Sequence, residues 1–157
     1  MNFLNIKSLE KKLTENNVSE KEGFYYLLAN WVVFGFISFI TVDKQHDNPG
    51  VIIMLIIVPV IGLFLTFNAN KKGDGKNYLI RLISLHFLIG IRYFILTLLL
   101  AIPVGLITSL IPDQAVKGFL HGGFVAGMGI AFYYSLASSV RRVSKAIPKT
   151  ETINNVE

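Results

Sequence analysis

The sequence predicts an all-α integral membrane protein with four transmembrane helices and both termini in the cytoplasm. Hydrophobic side chains make up 52% of the 157 residues and charged side chains only 16%, which is too apolar for a typical soluble domain. Several apolar runs are close to the roughly 20 residues that a helix needs to cross a bilayer core about 30 Å thick. Lysine and arginine are concentrated in alternate connections between these runs.

Three of the predicted spans are well-separated apolar runs. None of them contains an aspartate or a glutamate, and each is long enough to cross a bilayer. The second run carries Pro59, which predicts a kink, because neighbouring helices can satisfy the backbone group that a proline frees. The three runs are residues 23–42, 51–69 and 116–140.

The remaining apolar stretch, residues 78–111, is too long for one span. As a single helix it would be about 51 Å long at 1.5 Å per residue, which exceeds the bilayer core by roughly 20 Å. Typical helix tilts do not absorb so large a mismatch. We therefore expect a break at Gly90, with a cytoplasmic interfacial helix over 76–90 and the third span over 92–111.

The distribution of basic residues orients the spans. Twelve of the fifteen lysines and arginines fall in the N-terminal tail, the connection after the second span and the C-terminal tail. By the positive-inside rule we expect these three segments to lie in the cytoplasm. The predicted organisation is an N-terminal tail over 1–18, a membrane domain over 19–147 and a polar tail over 148–157.

The N-terminal tail does not resemble a signal peptide. Acidic residues precede the first apolar run and no small-residue cleavage site follows it, so we expect the first span to remain as an anchor. Ile6, Leu9 and Leu13 share one helical face. This pattern predicts an amphipathic segment on the membrane surface.

The connection NANKKGDGK, residues 68–76, is the segment most similar to a binding loop. A nucleotide-binding P-loop would need GxxxxGK[ST] between a strand and a helix, whereas here one residue separates the glycines and an apolar helix precedes them. We interpret the connection as a turn whose lysines set the topology and are weakly attracted to anionic headgroups. If a cytoplasmic protein partner docks, we expect it to contact Lys71, Lys72 and Asp74.

Asn77, Arg81, Ser84 and Arg92 fall within one narrow arc of the helix that follows. In one interpretation this polar stripe faces water and headgroups, with Arg92 snorkelling at a span end. In the other, several copies turn the stripe inward around a wet path, since intramembrane charges usually face a bundle interior. The sequence leaves both interpretations open.

Two polar residues in the apolar runs, Asn30 and His86, are predicted to be packing residues. His86 lies on the face opposite the polar stripe, so it must meet lipid, another helix or a partner. An interhelical hydrogen bond of about 1 kcal/mol explains such residues without a transport role.

The last span carries glycines at four-residue spacing. A ridge of small residues lets helix backbones approach closely, which is the usual basis of helix association in lipid. The neighbour could be a helix of the same subunit or the same helix of a second copy, and we favour a homo-oligomer. The ridge consists of Gly118, Gly122, Gly123, Gly127 and Ala131.

No pattern typical of catalysis occurs in the predicted spans. They lack acidic residues, and the chain has no cysteine and no histidine spacing that suits a metal. We therefore expect no enzymatic activity, no cofactor and no bound metal. Because the basic residues follow topology and build no groove-reading element, we also expect no nucleic-acid binding.

In size and span count, residues 23–140 resemble the four-helix membrane subunits of two-gene anti-phage systems, such as the Kiwa transmembrane subunit, and the immunity proteins against pore-forming colicins. The resemblance lies in the architecture, and no functional residue is carried over from it. It implies a membrane sensor or anchor that works with a protein partner in antiviral defence or immunity. The alternative is a small oligomeric ion channel in which Arg81 and Arg92 line the path.

Overall fold

The computed structural model describes the backbone of residues 5–41 and 49–145, and the side chains of 5–30, 32–33 and 56–145. The described chain is all-helical, as predicted. It forms α1 (Ile6–Thr14), α2 (Glu20–Thr41), α3 (Pro49–Lys71), α4 (Tyr78–Ser109) and α5 (Gln114–Lys145). The predicted C-terminal tail over 148–157 lies outside the described residues.

By length and composition, two of the described helices can cross a membrane. These are α4 and α5, of 32 residues each, and the described part of α3 adds a shorter apolar stretch, Ile56–Lys71. Only 22% of the most apolar window of α4 and 17% of that of α5 are buried, so most of this surface faces away from the protein. The count of four spans and their orientation stay predictions.

The predicted break at Gly90 is wrong. Helix α4 continues through Gly90 to Ser109, so residues 76–90 do not form a separate helix. Gly90 and its neighbours Leu88 and Ile89 are buried. Burying two such apolar side chains stabilises the helix by more than the roughly 1 kcal/mol that one glycine costs in a helix interior. The cost of Gly90 in a helix interior is therefore too small to end α4 at this position.

The helices lie in the order α2, α4, α5, α3. The central pair is α4 and α5, while α2 packs on α4 and α3 packs on α5. Val58 contacts Gly129, and Gly62 lies against Tyr133, so α3 runs parallel to α5. Within the described residues the backbone of α2 does not approach that of α3 or α5 closely. The consecutive helices α2 and α3 are thus separated by α4 and α5.

The hydrophobic core lies at the end of the bundle where α4 begins and α5 ends. The other halves of α4 and α5 are mostly exposed, as in Leu110 and Phe119. Such exposure suits a lipid environment, because lipid covers apolar surface that water would not. The core consists of Leu9, Leu13, Tyr26, Leu85, Phe87, Leu88, Ile89, Leu136, Val140 and Val143.

Helix α1 covers this core. Leu9 and Leu13 are buried and Ile6 packs beside them, so the predicted shared face exists. The face contacts α4 and α5, however, and the expectation that it lies on the membrane surface is wrong. A helix of nine residues is marginal by itself, and packing against α4 and α5 stabilises it.

Candidate functional site at the basic end of the bundle

Arg81 lies at the centre of a polar cluster that joins α3, α4 and α5. Its side chain is buried, and Nη2 donates a hydrogen bond of 2.7 Å to Oδ2 of Asp74. Nη1 pairs with Oδ1 of the same carboxylate and donates to Oδ1 of Asn70 at 3.0 Å. A guanidinium that meets both carboxylate oxygens makes the strongest type of charge-assisted hydrogen bond. The side chain thus ties the first turn of α4 to the end of α3 and to the connection between them.

Ser144 extends this cluster to α5. The backbone N–H of Asp74 donates to the carbonyl of Ser144 at 3.0 Å, and Oγ of Ser144 donates to the carbonyl of Ala69 at 3.3 Å. A Cβ atom added at Gly73 would lie 2.3 Å from Oγ of Ser144, so this approach requires glycine. We call the cluster the clasp. It consists of Asn70, Gly73, Asp74, Arg81 and Ser144.

The backbone of the connection is bonded within the protein. All five N–H groups from residue 72 to residue 76 donate internally. Their acceptors are the carbonyls of Asn68, Asn70 (twice) and Ser144, and Oδ1 of Asp74. Gly75 has a φ of +69°, a left-handed conformation that suits glycine. Because phosphate-binding loops present free N–H groups to their ligand, this geometry supports the interpretation of a turn.

The carboxyl of Asp74 is held in its ionised form. Burial raises its pKa, but the hydrogen bond and charge of Arg81 and the N–H of Lys76 outweigh this effect, and the pKa lies below its ordinary value. The side chains of Arg81 and Asp74 are only 1% and 12% exposed. Loss of either partner would leave the other charge buried without compensation, which is strongly destabilising.

Two buried polar atoms on α4 have no hydrogen-bond partner among the described residues. They are Nε of Arg81 and Oγ of Ser84. Residues three apart lie on the same helical face, so both atoms belong to the buried side of α4. This arrangement places the middle of the predicted polar stripe inside the protein.

The stripe is therefore divided. Arg81 and Ser84 are buried, whereas Asn77 and Arg92 are exposed. The interpretation that the whole stripe faces water is wrong for the two buried residues, because Asp74 supplies the charge that makes burial of a guanidinium tolerable. The sequence held one signal for this pairing: Asp74 is the only acid in the connection that precedes the stripe.

The residues predicted to contact a partner are also divided. Lys71 and Lys72 are exposed at the end of α3. The Asp74 carboxylate is bound by Arg81, so we withdraw Asp74 from the predicted contact surface. Sequence reasoning grouped the three residues because they are neighbours in the chain, which does not determine where their side chains point.

Polar contacts attach α1 to the same end of the bundle. Arg142 donates to both carboxylate oxygens of Glu10, with an Nη2–Oε1 distance of 2.6 Å. Arg142 also donates to the hydroxyls of Ser138 and Ser139. Lys12 pairs with Glu22 at 3.2 Å. The Arg142 contacts align α1 on α5, and the Lys12–Glu22 pair joins α1 to the start of α2. The burial of the α1 leucines supplies most of the attachment energy.

The prediction for Asn30 and His86 is confirmed. Nδ1 of His86 lies 2.9 Å from Oδ1 of Asn30, and Nδ2 of Asn30 donates to the carbonyl of Ile83 at 3.1 Å. The imidazole also packs edge-on against Phe132 of α5. Both residues thus connect helices, with α2 bound to α4 through an interhelical hydrogen bond.

Within the part of the chain whose side chains are described, the small-residue ridge takes no part in the α3–α5 contact. Among the described residues nothing would lie within 4 Å of a Cβ added at Gly118, Gly122, Gly123 or Gly127, and Ala131 is exposed. The close contact instead uses Gly62, which lies against Tyr133, and Gly129, which lies against Val58. Sequence reasoning missed these glycines because neither belongs to a four-residue series.

Comparison of the chain with known proteins identified no relative. A scan against protein-family models, a search of curated proteins and a search of solved structures each found no match. The architectural resemblance to anti-phage membrane subunits and colicin immunity proteins therefore stays a prediction. Within the described residues, no group of three or more histidines and acids is placed to hold a metal ion.

Proposed function

We propose that this chain is a non-enzymatic inner-membrane subunit of a bacterial defence or immunity system, and that it anchors a cytoplasmic protein partner. The observation that carries the proposal is the clasp. It connects one end of α3, α4 and α5, the end that we predict to lie in the cytoplasm, through a buried ion pair and a close backbone contact, next to the core that α1 covers. A preformed surface of this kind binds a partner with less loss of conformational freedom than a flexible tail would.

The partner surface that the geometry supports best is the outward face of α1 together with the tip of the connection. Lys7 on α1 and Lys76 in the connection are exposed. Asn77 donates from Nδ2 to Oδ1 of Asn16 at 3.2 Å, which joins this tip to the end of α1. The two segments therefore form one continuous surface at the end of the bundle.

The channel alternative receives less support. Arg81 is bound by Asp74 and buried, so it is removed from the residues that could line a path. Along the outer half of α4, the hydroxyls of Thr97, Thr108 and Ser109 donate to carbonyls of their own helix. A hydroxyl that donates in this way has no hydrogen left to donate to a passing anion. The homo-oligomer stays a prediction, based on the exposed ridge of α5.

Native mass spectrometry of the tagged chain, taken gently from the membranes of its own host, tests the proposal. We expect a soluble companion at fixed stoichiometry. The double substitution Lys7→Glu and Lys76→Glu should release it, since a reversed charge at an interface repels a complementary partner. Lys117→Glu, at the predicted outer end of α5, is the control and should retain it. A chain that carries no companion, or a companion that both variants retain equally, contradicts the proposal.

A further inference from the structure

Four exposed cations lie in the segments where α3 and α5 end. Ala69 and Gly73 both contact Ser144, so the two lysines between them, Lys71 and Lys72, lie beside the end of α5. On α5, Lys145 directly follows Ser144, and Arg141 lies three residues before Ser144. We call Lys71, Lys72, Arg141 and Lys145 the cationic rim.

The rim has no acidic partner within the described residues. The nearest acids are already bound, since Asp74 pairs with Arg81 and Glu10 pairs with Arg142. Two helix C-termini meet at the rim, and their partial negative charges of about half an elementary charge each offset only part of four full charges. The rim therefore keeps a substantial positive charge that the protein does not neutralise.

Apolar side chains exposed to the surroundings precede the rim on both helices. Phe67 on α3 is 50% exposed and lies one turn, about 6 Å, before Lys71. Tyr134 on α5 is 76% exposed and lies about 10 Å before Arg141. The polar layer of a bilayer leaflet is roughly 5–8 Å thick. The spacing of about 6 Å on α3 matches the step from hydrocarbon to lipid phosphate, and the spacing on α5 exceeds it by a few Å.

We infer that the cationic rim binds the phosphate groups of anionic phospholipids in the cytoplasmic leaflet. The clasp holds the end of α3 and the connection against the end of α5, so that the cations of these segments meet the same region of the leaflet. Each basic side chain near an anionic surface is worth roughly a fivefold gain in affinity. This site is separate from the proposed partner surface at Lys7 and Lys76, and it does not depend on the partner.

The test uses the purified full chain in nanodiscs of mixed phosphatidylglycerol and phosphatidylcholine, with retained lipids counted by native mass spectrometry. We expect the wild-type chain to retain phosphatidylglycerol preferentially. The double substitution Lys72→Gln and Lys145→Gln should weaken that preference roughly 25-fold, the product of two fivefold terms. The matched control, Lys7→Gln with Lys76→Gln, removes the same charge from the same end and should keep the preference.

Three results would overturn the inference. Equal retention of both lipids by the wild-type chain removes the site. Equal loss in the rim variant and the control variant means that the attraction is diffuse. An unchanged phosphatidylglycerol preference in the rim variant means that the rim does not bind the headgroups. No partner is present in the nanodiscs, so failure here is separate from failure of the proposed function.

Discussion

Gly62 of α3 lies directly against the ring of Tyr133 of α5. A Cβ atom added at Gly62 would come within 2.2 Å of the ring carbons, far inside van der Waals contact. The atoms concerned are close to the helix backbone of α5, so a rotation of the ring cannot remove the clash cheaply. This contact determines how closely the two helices approach.

Gly62→Ala should therefore separate α3 from α5. Overpacking of this kind typically costs 1–3 kcal/mol, and we expect a lower midpoint of thermal unfolding in detergent. Gly118→Ala is the matched control, because among the described residues its Cβ would meet nothing within 4 Å. Equal losses of stability in the two variants would contradict the packing described for Gly62.

Removal of one charge from the clasp should destabilise the bundle more than removal of both. Arg81→Met leaves Asp74 without its partner, and breaking a buried ion pair in this way costs about 3–5 kcal/mol. The double substitution Arg81→Met and Asp74→Asn leaves no uncompensated charge, and we expect it to recover part of the loss. Unfolding in detergent measures both variants. A double variant less stable than Arg81→Met would refute this account of the clasp.

Acid should weaken the clasp through Asp74. Its folded-state pKa lies below the ordinary value near 3.9, so its stabilising contribution is complete above that value and is lost as the pH falls through the folded pKa. We expect the melting temperature to decrease below about pH 4, and Asp74→Asn to remove that part of the decrease. If both chains respond identically between pH 7 and pH 3, the carboxylate does not carry the effect.

Attachment of α1 should depend on its leucines more than on its ion pair. Leu9 is buried, and truncation of a buried leucine costs about 2–5 kcal/mol. The ion pair between Glu10 and Arg142 involves a largely exposed arginine, and pairs of that kind contribute about 1 kcal/mol or less. Hydrogen–deuterium exchange of the α1 amides should therefore accelerate strongly in Leu9→Ala and slightly in Glu10→Gln. The reverse order would show that charge holds α1 in place.

The helical class and the single helical face of α1 were predictable because both depend on residues close together in the chain. The break at Gly90 was mispredicted for a related reason. Chain length and one glycine are local facts, whereas the burial of Leu88 and Ile89 depends on the helices that pack against α4. The surface that the apolar face of α1 contacts was mispredicted as well. Apolar periodicity shows that a helix has an apolar face, but it does not show whether lipid or protein covers that face.

By itself, the sequence determined that the chain is helical, that it is more apolar than a soluble domain and that its cations collect in three segments, because composition and periodicity express these properties directly. Only the tertiary structure decided that Arg81 is buried against Asp74, that Gly62 and Gly129 take part in the α3–α5 contact and that the connection after α3 lies beside the end of α5. Each of these depends on which distant side chains meet. Regular spacing along the chain records which residues share a face, but the partner of that face follows from the packing of whole helices.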